Sequence, residues 1–122
     1  MSDRKWNVLA WTASIALFVL IGLAGLSKFM VSAGWNERFE GWGLPASLVL
    51  IVAAIELVGA VLLLIPKLAA WGGAALAVIM LGASATHLFN GEWVRVPYTL
   101  TLMALAIGVA RFRHRRQRSQ AT

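Results

Sequence analysis

The 122-residue chain contains no cysteine. Disulfide exchange, zinc thiolate sites and thiol redox relays are therefore excluded. Its two histidines are His87 and His114, and His114 falls in a polar C-terminal stretch. A paired-histidine metal or haem site within one subunit is not expected, and no metal ligands are assigned. No Gly-rich phosphate loop is present, and no catalytic residue is assigned. Charge is also scarce. Asp, Glu, Lys and Arg make up 13% of the residues, about half the share of an ordinary soluble domain. Apolar residues reach 60%, more than a small water-soluble domain can hide, because such domains leave much of their surface exposed. A bilayer is the solvent that fits this composition.

A spanning helix takes about 20 apolar residues at ~1.5 Å each. Four such stretches are predicted, at about 8–28, 46–65, 68–88 and 96–110, followed by a basic tail over 111–122. The three prolines, Pro45, Pro66 and Pro97, sit between or at the start of these stretches. The first run follows Arg4 and Lys5, as the apolar part of a signal peptide would. It is longer than a cleaved segment and no A-x-A site follows it, so it reads as a retained span. The expected fold class is all-α: a single integral membrane domain built as a four-helix antiparallel bundle.

Charge sets the expected orientation. Arg4, Lys5, Lys67 and the arginines at 111, 113, 115, 116 and 118 share one side. Lys28, Arg38 and Arg95 share the other with Glu37, Glu40 and Glu92. Positive residues mark the cytoplasmic face, so both termini are expected there, in a multi-pass protein of the cell inner membrane. Trp6 and Trp71 fit an inner aromatic belt, and Trp35, Trp42 and Trp93 an outer one. Arg111, Arg113, Arg115, Arg116 and Arg118 are candidates for contact with anionic lipid, besides their part in setting topology. Net charge is +6, but arginines abutting a membrane segment with no folded domain behind them do not make a nucleic-acid surface. The segment FMVSAGWNERFEGWGLP, residues 29–45, reads as a short interfacial helix. It either caps an opening between the spans or serves only as an aromatic anchor.

Small residues are the guide to inward faces, since lipid and interior are equally apolar. Ser14, Phe18, Gly22, Gly25 and Lys28 form one stripe, and Ala53, Glu56, Gly59 and Ala60 a second. Gly73, Ala77, Met80, Ala83, Ser84 and His87 form a third, and Tyr98, Thr101, Ala104 and Gly108 a fourth. An acidic residue at a helix centre costs on the order of 3 kcal/mol to insert. Glu56 is thus expected to face the interior, either as a site residue or as a hydrogen-bonding link between helices. Lys28, His87 and Tyr98 join it as candidate ligand-binding residues, each with a structural alternative as anchor, backbone partner or belt residue. Straight helices put Glu56 about 15 Å below the outer boundary and Lys28 and His87 near it. Direct contact with Glu56 then needs a water-filled vestibule or a second helix that starts deeper.

One set of residues carries a family resemblance. Lys28-Phe29 closes the first span, and Phe39 and Gly43-Leu44-Pro45 precede the second. Glu56-Leu57-x-Gly59-Ala60 and Leu63-Leu64-Ile65-Pro66 follow, then Met80-x-Gly82-Ala83-x-x-x-His87, with Pro97 opening the fourth. In this order and spacing the chain resembles the DoxX and DoxX-like family of small four-helix membrane proteins. Ala53 stands where a glycine is often found. The family name comes from a subunit associated with thiosulfate:quinone oxidoreductase, and other members look like partners of redox-stress or sulfur enzymes. The resemblance therefore implies a membrane bundle with redox or quinone connections. It does not imply catalysis by this chain.

Three functional classes stay open at this point. The first is an accessory membrane subunit whose interior takes a small apolar ligand such as a quinone, alongside a membrane or soluble redox enzyme. The second is a small-solute or proton transporter, which a homo-oligomer would suit because one small bundle shows no internal repeat. The third is a structural or assembly protein. Catalysis by the chain alone has the least support.

Overall fold

The computed structural model describes residues 3–121. Every described element is helical: α1 (Asp3–Met30), α2 (Ser32–Gly41), α3 (Leu48–Leu63), α4 (Ala69–Phe89), a single 3-10 turn at Trp93–Arg95, and α5 (Val96–Ala121). Three stretches are long and apolar enough to cross a membrane, namely α1, α4 and Trp93–Ser119. The first helix contains no proline and runs unbroken to a bend at Val31 (φ −124°, ψ 51°), where α2 departs.

Glycine ends two of the helices in the same way. After α2, Gly43 takes φ +80°, the Gly43 N–H donates to the Glu40 carbonyl, and the Leu44 N–H donates to Phe39. After α4, Gly91 takes φ +73°, its N–H donates to Leu88, and the Glu92 N–H donates to His87. This paired pattern satisfies the last carbonyls of a helix and needs a left-handed residue that glycine supplies without steric cost.

Two boundaries differ from the sequence expectation. The span expected over 46–65 is an α-helix only over 48–63, about 24 Å of rise. Its proline-flanked ends continue as tight turns instead. Leu48 and Val49 donate to Pro45 and Ala46, and Leu64 and Ile65 donate to Val61 and Leu62. The fourth helix does not stop at residue 110. It runs on to Ala121, so Arg111–Ala121 is ordered helix where a separate basic tail was expected. Two contacts hold this extension down. The guanidinium of Arg113 donates to Asn7 Oδ1 at 3.2 Å, and Gln117 Nε2 donates to the Lys67 carbonyl at 2.6 Å.

The helices pack in a ring, α1 on α3, α3 on α4, α4 on α5 and α5 on α1. Contacts run in opposite order along neighbours. A Cβ placed on Gly25 would touch Ala53 and Glu56, and one on Gly22 would approach Ala60. Gly73 abuts Ala106 and Ala110, while Ser84 Oγ lies 2.7 Å from Thr99 Oγ1. Leu17, Ile21, Leu63, Leu76, Met80, Leu102, Ala106 and Val109 form the buried core. Large apolar residues such as Leu23, Val58 and Leu81 are exposed on the outside. Water would penalise that surface and acyl chains do not.

The inward faces of α1, α3 and α4 follow their small-residue stripes: Ser14, Gly25 and Lys28, then Ala53, Glu56, Gly59 and Ala60, then Gly73, Met80, Ser84 and His87 are buried. The fourth stripe fails. Tyr98, Thr101, Ala104 and Gly108 are exposed, and α5 instead buries Thr99, Leu102, Ala106, Val109 and Arg113.

Candidate functional site

Gly25 decides the depth of the site. A Cβ there would lie 3.2 Å from both the Ala53 carbonyl oxygen and Glu56 Cβ, so α1 and α3 approach closely at the level of Glu56. Lys28 is one turn further along the same face of α1. Its ammonium Nζ sits 2.7 Å from Glu56 Oε1, with the two side chains 6% and 3% exposed. The separation expected from straight helices is thereby overturned. A short α3 and a lysine stem reaching back into the bundle bring the two charges together.

Aromatic side chains continue from this ion pair around the mouth of a cavity. Lys28 Nζ lies 4.2 Å from the centre of the Trp35 ring, a cation–π contact. The Trp35 indole N–H donates to Ser27 Oγ at 3.2 Å, tying α2 back onto α1. Trp35 meets Phe39 edge-on, Phe39 tilts against Trp42, and Trp42 meets His87 edge-on, with ring centres 5.5–6.4 Å apart. His87 Nδ1 lies 2.7 Å from Glu92 Oε1. The glycine-terminated end of α4 produces this pair, because it folds Glu92 back over the last turn that carries His87.

Glu92 lies outside the spans, and its carboxyl is held below its ordinary value of 4.5. The His87 hydrogen bond is the main cause, opposed by desolvation and aided by the Trp42 indole and by Arg95. A carboxyl lowered in the folded state adds stability above its unfolded pKa and loses it as pH falls through the folded value. Thermal midpoints should therefore fall below about pH 4.5 more steeply in wild type than in Glu92→Gln. Parallel curves for the two proteins would remove Glu92 from the acid response.

The cavity measures about 730 Å³, within the range of about 300–1,000 Å³ usual for small-molecule sites. Its depth is apolar, with Ile21, Val52, Ile79, Met80 and Leu102 around the Lys28–Glu56 pair. Its rim carries Arg38, His87 and Arg95 together with the α2 aromatics. Glu56, Lys28 and His87 therefore share one cavity, although His87 pairs with Glu92. Tyr98 also lines it, but is 54% exposed, so it stands at an opening rather than inside. One helix position on, Thr99 is buried and bonds Ser84. Sequence reasoning singles out none of Trp35, Arg38, Phe39, Trp42, Arg95 or Thr99 as a ligand contact, although one of its two readings of residues 29–45 is a cap over an opening between the spans. The aromatic spacing Trp35, Phe39, Trp42 is the signal that could have marked the inner face of α2. Among the described residues, no cluster of three or more His, Cys, Asp or Glu side chains could hold a metal ion.

The five tail arginines do not form one set. Arg113 is buried against α1 with its guanidinium 4.9 Å from the Trp11 ring centre. It is thus a packing residue, while Arg111, Arg115 and Arg118 are exposed and Arg116 is partly so.

No curated protein and no solved structure matched the chain. A family model did, over residues 12–109, a range that takes in every residue lining the cavity. With most of its length matched, this helical membrane protein belongs to the DoxX-like family.

Proposed function

We propose that the protein is a four-helix antiparallel bundle of the cell inner membrane, with both termini cytoplasmic, and that it acts as an accessory subunit of a quinone-linked redox system. Its interior cavity takes the quinone or another small apolar molecule with a polar head. One observation carries this reading: a buried Lys28–Glu56 ion pair lies inside an otherwise apolar cavity whose rim supplies Arg38, His87 and Arg95. Ionisable groups held within a span usually face a cavity or partner and mark function. A quinone needs this combination of a dry slot for its ring and donors for its two carbonyls. Lys28 offers ammonium hydrogens to such a carbonyl, Glu56 orients the ammonium, and the α2 aromatics cover the ring. The chain itself contributes binding and proton exchange, and a partner enzyme the electron transfer.

The test uses a short-chain ubiquinone and tryptophan fluorescence, since Trp35 and Trp42 line the cavity. Wild type in detergent should show saturable quenching. Gly82 lines the same cavity, and an added Cβ there meets nothing within 4 Å. Gly82→Trp should therefore fill the space and weaken binding at least tenfold while the thermal midpoint holds. Quenching that never saturates, or that Gly82→Trp leaves unchanged, would defeat the ligand reading.

A further inference from the structure

The far end of the molecule, where Asn7 meets Arg113, holds a second cleft of about 680 Å³ between the start of α1 and the end of α5. We propose that this cleft binds one anionic phospholipid, with the headgroup phosphate on Arg111, Arg115 and Arg116 and the acyl chains running along α1 and α5. The site is separate from the cavity around Glu56, and nothing in that reading bears on it.

The cleft is built rather than incidental. Arg111 and Arg115 stand one turn apart on α5, with Phe112 and Arg116 beside them on the same wall. Arg116 also lies 5.9 Å from the Phe112 ring centre, which orients its guanidinium. Among the described residues none of the three arginines is ion-paired with a carboxylate. Asp3 lines the opposite wall, so one carboxylate faces three guanidinium groups and the balance favours an anion. Guanidinium forks match phosphate oxygens in pairs, which an ammonium cannot do.

The arginines are also held in place. Arg113 anchors the helix to Asn7 and Trp11, and Gln117 anchors it to the Lys67 carbonyl. These contacts fix the backbone between Arg111 and Arg118, so a phosphate would meet guanidinium groups already on one helical face and would pay little ordering entropy.

A lipid fits the cleft better than a free phosphate because the walls turn apolar towards the middle of the bundle. Trp6 forms one side, and Leu9, one turn on, is 49% exposed. Gly108 closes the other side, with open space where its Cβ would be, and Leu105, one turn back, is 39% exposed. An amphipathic ligand would lay its tail on Leu9 and Leu105 and its phosphate on the arginines. Trp6 would sit at headgroup level, where amphipathic rings prefer to lie.

Native mass spectrometry of the full chain in detergent tests this, with phosphatidylglycerol, phosphatidylcholine and inorganic phosphate as separate probes. One phosphatidylglycerol should bind saturably, at least tenfold tighter than phosphatidylcholine. Arg111→Gln/Arg115→Gln should weaken it about tenfold. Arg4→Gln/Lys67→Gln removes the same charge outside the cleft and should leave binding unchanged. An equal loss in both doubles means diffuse attraction to a basic end and overturns the site. Inorganic phosphate binding as tightly as the lipid overturns the assignment to lipid. Circular dichroism of both doubles checks folding, and Arg111→Lys, which keeps charge but loses the fork, should retain only part of the affinity.

Discussion

Glu56→Gln should destabilise the protein by about 3–5 kcal/mol, because it leaves the Lys28 ammonium buried with no opposite charge. Lys28→Met should cost a similar amount, stranding the carboxylate instead. The informative variant is the double, Lys28→Met/Glu56→Leu. Replacing both members of a buried pair by apolar residues of similar volume is often neutral or even stabilising. The double should therefore melt close to wild type in detergent while each single melts far below it. A double as unstable as the sum of the singles would show that the two charges are not coupled. The same double separates stability from function: it should be well folded and should still have lost ubiquinone-dependent quenching.

The second large effect concerns the seams of α4. A Cβ on Gly72 would lie 2.7 Å from the Gly59 carbonyl oxygen and 3.1 Å from the Leu63 nitrogen, both backbone atoms of α3. A Cβ on Gly73 would lie 2.7 Å from the Ala106 carbonyl oxygen of α5. Adjacent glycines thus let one helix approach two neighbours, and neither neighbour can yield by rotating a side chain. Gly72→Ala and Gly73→Ala should each cost about 1–3 kcal/mol, since overpacking a close seam shifts backbone. Gly59→Ala meets mainly the Leu76 side chain, which can move, and should cost less. Gly82→Ala and Gly108→Ala meet open space and should gain about 0.5–1 kcal/mol from helix propensity. Thermal midpoints across these five variants check the order. Equal losses at Gly72 and Gly82 would mean that close backbone approach is not what the first glycine provides.

Reading the sequence worked where small residues mark backbone contact. In α1, α3 and α4 Gly25, Ala53, Gly59, Ala60 and Gly73 lie on the buried face because they make the seams. In α5 the rule misleads. The small residues of α5 that meet Gly73 are Ala106 and Ala110, on a different face from the stripe of Tyr98, Thr101, Ala104 and Gly108, and Gly108 is left outside. The Lys28–Glu56 pair was hidden for a different reason. Counting residues inward from each helix end assumes straight rods ending at one level, whereas the crossing point at Gly25 sets the relative height. Arg113 was grouped with its neighbours by composition. Only the helical phase of α5 beyond residue 110 separates it from Arg111 and Arg115.

The proline-flanked α3 has a further physical result. Its 16 residues reach about 24 Å, while the oily layer of a bilayer measures about 30 Å. Acyl chains packed beside Ile51, Ile55 and Val58, all exposed on that helix, face a shorter greasy strip than those beside α1. Lipid on this flank has to compress or the whole bundle has to lean, each at a fraction of a kcal/mol per Å. Such hydrophobic mismatch makes the molecule sensitive to membrane thickness, so short-chain lipids should ease the strain that long-chain ones impose.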